Sequence, residues 1–343
     1  MRVLFSVAIG TSLLRLVPGQ APKAHAAGSL SRVAGANRIE TAIKVSEQLF
    51  PANDSAGGVI LARQDTFPDA LTANSLTGLF DAPILLTSPG TSLNANVRAE
   101  IDRVLASGST VVIIGGPAAI SSTVDEELSG TYVVERLAGA DRYETAQLIK
   151  ERGDKLRGGT TPTTLIARGD TYPDALSGSS YAAFAGVPIL LVRHDEIPLV
   201  EQSSFNPSMQ SPFILGGTAA VGDAVLSSIE SSTGSIAIRI GGADRYETAQ
   251  KIADYFFPTP LAISLATGRN FPDALAGGVL AGLSILSPVG MPMLLVEKNV
   301  VPPSIENYLT GHAATIDDAT SGYLFGGTAA LSIETELAAE ALL

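Results

Sequence analysis

The sequence contains no cysteine and only three histidines among its 343 residues. The absence of cysteine excludes disulfide bonds, zinc–thiolate sites and thiol nucleophiles. His25 lies close to the N-terminus, and His194 and His312 have no counterparts in the internal repeats described below. A nucleophile–base pair or a histidine metal cluster therefore cannot recur from repeat to repeat. We expect no metal, no cofactor and no catalytic residue.

Basic residues are also scarce, since 22 Lys and Arg face 34 Asp and Glu in a chain of net charge −12. Such a surface repels nucleic acid and anionic membranes, so neither is an expected partner. An anionic ligand would have to be held by local arginines or backbone N–H groups. Hydrophobic residues make up 45% of the sequence and charged residues 16%. This composition is typical of well-packed globular domains.

No apolar run is long enough to span a membrane. The N-terminus carries Arg2, an apolar stretch that ends before Arg15, and the small residues of Ala24-His25-Ala26. This pattern predicts a secretory signal over residues 1–28. The apolar stretch stops well short of the roughly 20 residues that a transmembrane helix needs. We therefore expect an exported protein that is not inserted into a membrane after the signal is removed.

What the sequence has in abundance is repetition, because four short motifs recur three times in the same order. The glycine three residues after the arginine that begins the first motif falls at Gly35, Gly139 and Gly242, at spacings of 104 and 103 residues. In the first copy the motifs are Arg32-Val-Ala-Gly35-Ala-Asn37-Arg38-Ile-Glu40-Thr41-Ala42, Phe67-Pro-Asp69-Ala-Leu71, Pro83-Ile-Leu-Leu86 and Gly115-Gly116-Pro-Ala-Ala119. They return from Arg136 and Arg239, Tyr172 and Phe271, Pro188 and Pro292, and Gly216 and Gly326. Repeats of this kind predict three tandem modules over residues 29–130, 131–234 and 235–343.

Within a module, helical periodicity alternates with short, continuously apolar runs. In the first module the predicted elements are helices over 39–49, 69–79, 93–105 and about 118–128, and strands over 59–62, 84–86 and 111–114. Unpatterned apolar strands are typical of a parallel sheet that is covered on both faces. Their alternation with helices predicts right-handed crossovers and an α/β fold.

The first motif places an Asn or Asp three residues before a glutamate, which predicts a capping box at a helix start. The pairs are Asn37 and Glu40, Asp141 and Glu144, and Asp244 and Glu247. Between them lies an arginine at the first helical position, where the helix dipole does not favour a cation. These arginines are Arg38, Arg142 and Arg245. Each needs a partner, and the sequence leaves open whether that partner is a carboxylate of the protein or an anionic ligand.

Two further motifs have both a structural and a functional interpretation. Asp69, Asp174 and Asp273 follow a proline, which predicts a helix start, although each carboxylate could also pair with a repeated arginine. The double glycines, whose second members are Gly116, Gly217 and Gly327, predict tight strand-to-helix turns. Such turns can also present backbone N–H groups to an anion. Neither Gly-x-Gly-x-x-Gly nor Gly-Lys-Ser/Thr occurs, so nucleotide binding is only weakly indicated.

Taken together, these four motifs resemble those of the cell wall-binding repeat 2 family over roughly residues 29–343. The resemblance implies three Rossmann- or Toprim-like modules, with parallel sheets flanked by helices, around a pseudo-three-fold axis. It also implies non-covalent binding to an anionic secondary polymer of a Gram-positive cell wall, often in surface-layer proteins. The repeated arginines match family positions near the module contacts thought to bind polymer. Asn37 and Ile39, where the other copies have Asp and Tyr, and Thr267-Gly-Arg269 of the third copy depart from the pattern.

The leading hypothesis is a secreted, non-catalytic wall-binding protein. Its predicted polymer-binding residues are Arg38, Arg142, Arg245, Asp69, Asp174, Asp273, Gly116, Gly217 and Gly327. Two alternatives remain: a secreted hydrolase of peptidoglycan or wall glycan, and a structural subunit of a surface lattice. Surface-layer proteins are a further expected partner. Repetition of a modest site favours avidity for a polymer over chemistry.

Overall fold

A computed structural model of the protein describes residues 28–284, 286–316 and 321–343. The predicted secretory signal lies outside these residues except for its last position, Gly28. The described strands are β1 (Leu30–Val33), β2 (Gly58–Arg63), β3 (Ile84–Thr87), β4 (Thr110–Ile114), β5 (Val133–Leu137), β6 (Thr163–Arg168), β7 (Ile189–Val192), β8 (Ser211–Leu215), β9 (Ile238–Ile240), β10 (Ile263–Thr267), β11 (Met293–Val296) and β12 (Gly322–Phe325).

Helices separate most of these strands. They are α1 (Arg38–Leu49), α2 (Pro68–Phe80), α3 (Ala95–Val104), α4 (Ser122–Ser129), α5 (Arg142–Arg157), α6 (Pro173–Ala185), α7 (Asp223–Thr233), α8 (Arg245–Phe256), α9 (Pro272–Leu283), α10 (Pro303–His312) and α11 (Ile333–Glu340). In the second module a 3-10 helix, Leu199–Ser204, takes the place in the chain that α3 and α10 have in the others. The fourth predicted helix of the first module begins later than expected, because Ala119 and Ile120 donate to the Gly116 carbonyl in a turn.

The strands form three parallel four-stranded sheets, in the orders β3-β2-β4-β5, β7-β6-β8-β9 and β1-β12-β10-β11. The strands formed by the apolar triplets are fully buried, as the unbroken apolar runs predict: β3, β7 and β11 have no exposed residue, although each lies at one end of its sheet. The predicted α/β fold of three parallel-sheet modules is thereby confirmed.

Each sheet takes its fourth strand from sequence that follows the predicted module boundary. β5 lies beyond residue 130 but pairs with β4, and β9 lies beyond residue 234 but pairs with β8. The ring is closed by β1, which pairs in parallel with β12 some 290 residues later in the chain, so that Arg32 stands opposite Leu324. These strands come from the beginning of the first motif, where the sequence analysis predicted no strand. The modules are therefore interlocked rather than merely adjacent.

Helices α2, α6 and α9 meet along the centre of the molecule, and most of their residues are buried. Side chains at equivalent positions differ in size where the helices touch, as Asn74, Ser179 and Gly278 illustrate. A Cβ at Gly278 would overlap the Ser179 hydroxyl, so the third helix needs glycine there. The contact of three equivalent helices confirms the predicted pseudo-three-fold arrangement.

Candidate functional site

The predicted caps form at the start of α1, α5 and α8. The Asn37 side chain accepts from the N–H groups of Ile39 and Glu40, and the two aspartates accept in the same way. The glutamate differs from a standard capping box, because it bonds the N–H of the residue before the cap. Glu40 accepts from Ala36 at 3.0 Å, and Glu144 and Glu247 have the equivalent bonds. These acids thus fix the entry of the chain into the helix that carries the repeated arginine.

Each of these arginines makes one hydrogen bond within the described residues, to a backbone carbonyl of its own module. Arg38 donates to Gln64 at 3.0 Å, Arg142 to Gly169 at 2.7 Å and Arg245 to Gly268 at 2.5 Å. None forms an ion pair in residues 28–284, 286–316 and 321–343. Of the two interpretations of the sequence, direct pairing with a protein carboxylate is therefore not observed among the described residues. Each guanidinium keeps N–H groups that no described residue accepts.

The guanidinium groups lie over aromatic rings of the preceding module. The Cζ atom of Arg142 is 5.9 Å from the centroid of the Phe67 ring, and Arg245 and Arg38 stand 6.0 Å from Tyr172 and Phe271. This distance is within the range of a cation–π interaction. The three rings also contact one another edge to face around the axis, with centroids 5.6, 5.6 and 5.7 Å apart. We call them the aromatic triad.

The repeated aspartates begin α2, α6 and α9 directly after a proline, as predicted. Burial raises the pKa of Asp69, Asp174 and Asp273, and the arginine of the next module opposes this effect in each case. For Asp174 the pKa rises to about 6. Charge interaction thus couples each carboxyl to an arginine without direct contact.

The first glycine of each double-glycine turn has positive φ, at +98° for Gly115 and +105° for Gly216 and Gly326. A Cβ at Gly115 would also lie 2.9 Å from Asp69 Oδ2. Glycine is therefore required both by the backbone conformation and by the close approach of the carboxylate. The predicted tight turn is confirmed, and it brings the second glycine to the same place as the aspartate.

All nine predicted residues converge in three equivalent clefts where modules meet. Cleft 1/2, of about 310 Å³, contains Asp69, Gly116 and Arg142. Cleft 2/3, of about 440 Å³, contains Asp174, Gly217 and Arg245. Cleft 3/1, of about 290 Å³, contains Asp273, Gly327 and Arg38. Each cleft takes its aspartate and glycine from one module and its arginine from the next, and the guanidinium groups are half-buried rather than sealed in.

A second arginine lies beside two of the clefts. Arg63 and Arg168 are the last residues of β2 and β6 and form ion pairs with Asp65 and Asp170. The third copy has Thr267 at this strand position, and its Arg269 pairs instead with Glu297 at 2.8 Å. Cleft 3/1 therefore lacks a cation that the other two clefts have, because Thr267 replaces the arginine.

The sequence analysis missed the role of another repeated arginine, the first residue of the first motif. Arg136 donates to the Gly115 carbonyl at 2.6 Å and forms a 2.5 Å ion pair with Asp125 of α4. Arg32 and Arg239 make equivalent contacts, with Glu336 and Asp223 as their carboxylate partners. We call these three the latch arginines, because each ties the fourth strand of a sheet to the turn and helix of the preceding module.

The described residues contain no group of three or more His, Asp or Glu side chains that could hold a metal ion. No helix among them has the length and apolar character needed to cross a membrane.

Comparison with known proteins identifies this architecture. The family described as Cell wall binding domain 2 (CWB2) matches residues 32–125, 136–226 and 239–336. The chain is 30% identical over 306 residues to the amidase enhancer of Bacillus subtilis, a match that takes in 89% of this chain and 39% of that protein. It is 29% identical over 262 residues to the N-acetylmuramoyl-L-alanine amidase LytC of the same organism, with 76% and 50% coverage.

Among solved structures, Cwp6 from Clostridium difficile superimposes with a TM-score of 0.80 at 25% identity, over 92% of this chain and 48% of that one. The chain thus spans about half or less of the length of these relatives. The family segments cover all three clefts and nearly all of the described residues. The chain belongs to the Cell wall binding domain 2 family and is built from three cell-wall-binding modules.

Proposed function

We propose that the three clefts bind an anionic cell-wall polymer and thereby hold an exported protein non-covalently on a Gram-positive-type envelope. The observation that carries this proposal is the set of three half-buried arginines, Arg38, Arg142 and Arg245, which line equivalent clefts and have no carboxylate partner among the described residues. A cation held in a cleft, with N–H groups that the protein does not use, is suited to a phosphate or carboxylate group.

Two further features favour an anion in the same place. The clefts lie at the N-terminal ends of α1, α5 and α8, where the helix dipole attracts negative charge. The second glycine of each turn, Gly116, Gly217 or Gly327, lines the cleft and can present its N–H group. These local features outweigh the net charge of −12, because surface charges farther away than about 10 Å are largely screened at physiological ionic strength.

Three weak sites on one rigid body favour a polymeric ligand. Once one cleft is occupied, the next repeat of the same polymer binds at a high effective concentration. Affinity then arises from the number of clefts engaged, and none of them needs to be strong. A small monovalent ligand would gain nothing from this arrangement.

We further propose that this chain binds and does not catalyse. The recurring acids also have structural tasks: Asp141 and Asp244, with Asn37 in the first copy, cap helices together with the following glutamates, and Asp69, Asp174 and Asp273 begin the central helices. The two Bacillus subtilis relatives with amidase in their names are longer than this chain, which covers 50% and 39% of them. Export and an association with surface-layer proteins stay predictions.

A sedimentation assay with purified Bacillus subtilis or Clostridium difficile cell walls tests the proposal. Residues 28–343 should sediment with the walls, and added salt should weaken the retention. Replacing Arg38, Arg142 and Arg245 together by alanine should abolish it. A matched control replaces Lys44, Arg193 and Lys251, one exposed cation per module outside the three clefts, and so removes the same charge.

The control variant should bind like the unmodified protein. Protein that remains in the supernatant with both kinds of wall contradicts the proposal, as does equal loss in the two triple variants. Release of soluble wall fragments by the purified protein would contradict the non-catalytic assignment.

A further inference from the structure

The three clefts differ in their contact with the aromatic triad. Phe67 and Tyr172 both line cleft 2/3, whereas the described linings of clefts 1/2 and 3/1 include none of the three rings. Cleft 2/3 is also the largest of the three, at about 440 Å³. The pseudo-symmetry of the modules is therefore broken on the surface that contains the candidate site.

Cleft 2/3 combines apolar and polar walls. Phe67 and Tyr172 are half-buried, and both residues line the cleft beside the polar groups. Arg245 stands over the Tyr172 ring. The polar part of the lining also includes Asp174 and Thr248, the ion pair of Arg168 with Asp170, and Thr171 and Asp244, the last of which caps α8. Polar groups that converge beside aromatic surface are typical of a site that selects and orients a small cyclic group.

A sugar ring has the matching chemistry. Its axial C–H groups form an apolar face that packs against an aromatic ring, and its hydroxyl groups donate to a carboxylate. An anionic substituent on the same or the next sugar would meet Arg245. A chain of phosphates without rings would contact Arg245 but has no apolar face to pack against the parts of Phe67 and Tyr172 that line the cleft.

We propose that cleft 2/3 is a sugar-binding subsite that takes one pyranose ring of an anionic polysaccharide. The ring packs against Tyr172 and Phe67, Asp174 accepts from its hydroxyl groups, and Arg245 binds the anionic group. Clefts 1/2 and 3/1 then serve as anion-binding sites with less selectivity. This inference rests on the proposed function, since it specifies the ligand of one of the three clefts.

A pair of matched substitutions separates binding from packing. Tyr172→Leu and Phe271→Leu each remove one ring from the aromatic triad, but only Tyr172 lines cleft 2/3. Tyr172→Leu should weaken binding of soluble anionic polymer, released from Bacillus subtilis and Clostridium difficile walls, by about five- to tenfold. Phe271→Leu should weaken it by less than about twofold, and both variants should leave binding of inorganic polyphosphate unchanged.

The absence of tryptophan from the sequence allows a direct probe of occupancy. In Tyr172→Trp the single tryptophan reports on cleft 2/3. In Tyr255→Trp it lies at a half-exposed position of α8 that packs on Phe213 and Phe256 and does not line any of the three clefts. Added wall polymer should shift or quench the emission of the first protein over its binding range and leave the second unchanged.

The outcomes distinguish this inference from the proposed function. Retention on walls with an unchanged emission of Tyr172→Trp, or equal weakening by the two leucine variants, overturns the sugar subsite and leaves wall binding intact. Equal quenching by polyphosphate overturns the preference for a sugar ring. Failure of the unmodified protein to sediment with walls overturns the proposed function and this inference with it.

Discussion

Two arginines six residues apart in each module lie in different surroundings. Arg136, in the edge strand β5, donates to the Gly115 and Ser121 carbonyls and pairs with Asp125. Arg142, at the start of α5, bonds one carbonyl and lies over the Phe67 ring. The same contrast separates Arg32 from Arg38 and Arg239 from Arg245.

The difference follows from the backbone around each side chain. A strand at the edge of a sheet, next to a double-glycine turn, is surrounded by carbonyl groups and by the carboxylates of the helix that follows this turn, so a guanidinium there finds several acceptors. A helix start presents N–H groups instead, which are donors like the guanidinium itself. An arginine at that position keeps unused hydrogen-bonding capacity. The latch arginine therefore holds the modules together, and the cleft arginine remains available to a ligand.

The largest effect on stability should come from removing β1, the strand that carries the latch arginine Arg32. A protein that starts at residue 34 lacks β1, and with it the buried Leu30 and Val33 and the ion pair of Arg32 with Glu336. Loss of these two side chains alone should lower the free energy of unfolding by about 3–6 kcal/mol, since burying each is worth roughly 1.5–3 kcal/mol. Chemical denaturation monitored by circular dichroism measures the change.

A rearranged chain provides the control for this deletion. Gly28 lies beside Leu343, because a Cβ at Gly28 would come within 2.5 Å of the Leu343 Cβ. Residues 28–33 can therefore be re-attached after Leu343 through a short linker, and the strand should again pair with β12. Failure of this chain to recover stability, while the truncated chain stays stable, would contradict closure of the ring by β1.

A smaller effect should separate the two arginines themselves. Arg136→Ala removes an ion pair and bonds to two carbonyls and should lower the free energy of unfolding by about 1–3 kcal/mol. Arg142→Ala removes one carbonyl bond and a cation–π contact and should cost less than about 1 kcal/mol. In the sedimentation assay the order reverses, and Arg142→Ala should show the larger loss. Equal losses of stability in the two variants would contradict a structural role for Arg136 that Arg142 lacks.

The smallest predicted effect concerns pH and a single carboxyl group of a cleft. Burial raises the pKa of Asp174 to about 6, so this group is largely neutral at pH 5 and ionised at pH 7.5. Its ionisation places a negative charge near Arg245 and should weaken binding of an anionic polymer about three- to tenfold over that interval. Titrations of polymer binding at the two pH values measure this change.

Asp174→Asn is the control for the pH effect, because it keeps the shape of the side chain and removes the charge. Its binding should vary less with pH than that of the unmodified protein. The same substitution should stabilise the fold at pH 7.5 and not at pH 3. The reason is that a carboxyl whose pKa is raised in the folded state costs stability only once it ionises. Identical pH profiles for the two proteins would contradict a role for this carboxyl.

Much of the fold was predictable from local sequence. The helix starts at Arg38, Arg142 and Arg245 follow from their caps, and the buried strands follow from apolar triplets such as Ile84 to Leu86. The third copy's loss of a cation beside its cleft was visible as Thr267 in place of arginine. The fourth strands, β1, β5 and β9, were not predictable in this way. They are short and partly exposed and contain charged residues, so they lack the apolar run that marks the other strands.

The sequence by itself determined that the chain repeats one α/β module three times and which residues recur in it, because periodicity, capping and turn chemistry are local. It also determined that Arg38, Asp69, Gly116 and their counterparts are set apart from the surrounding core. Only the tertiary structure decided which of them meet. β1, β5 and β9 each pair with the sheet of the preceding module, so the arginine of one module joins the aspartate and glycine of another. Contacts between modules depend on how whole sheets and helices pack in space, and no window of sequence contains that information.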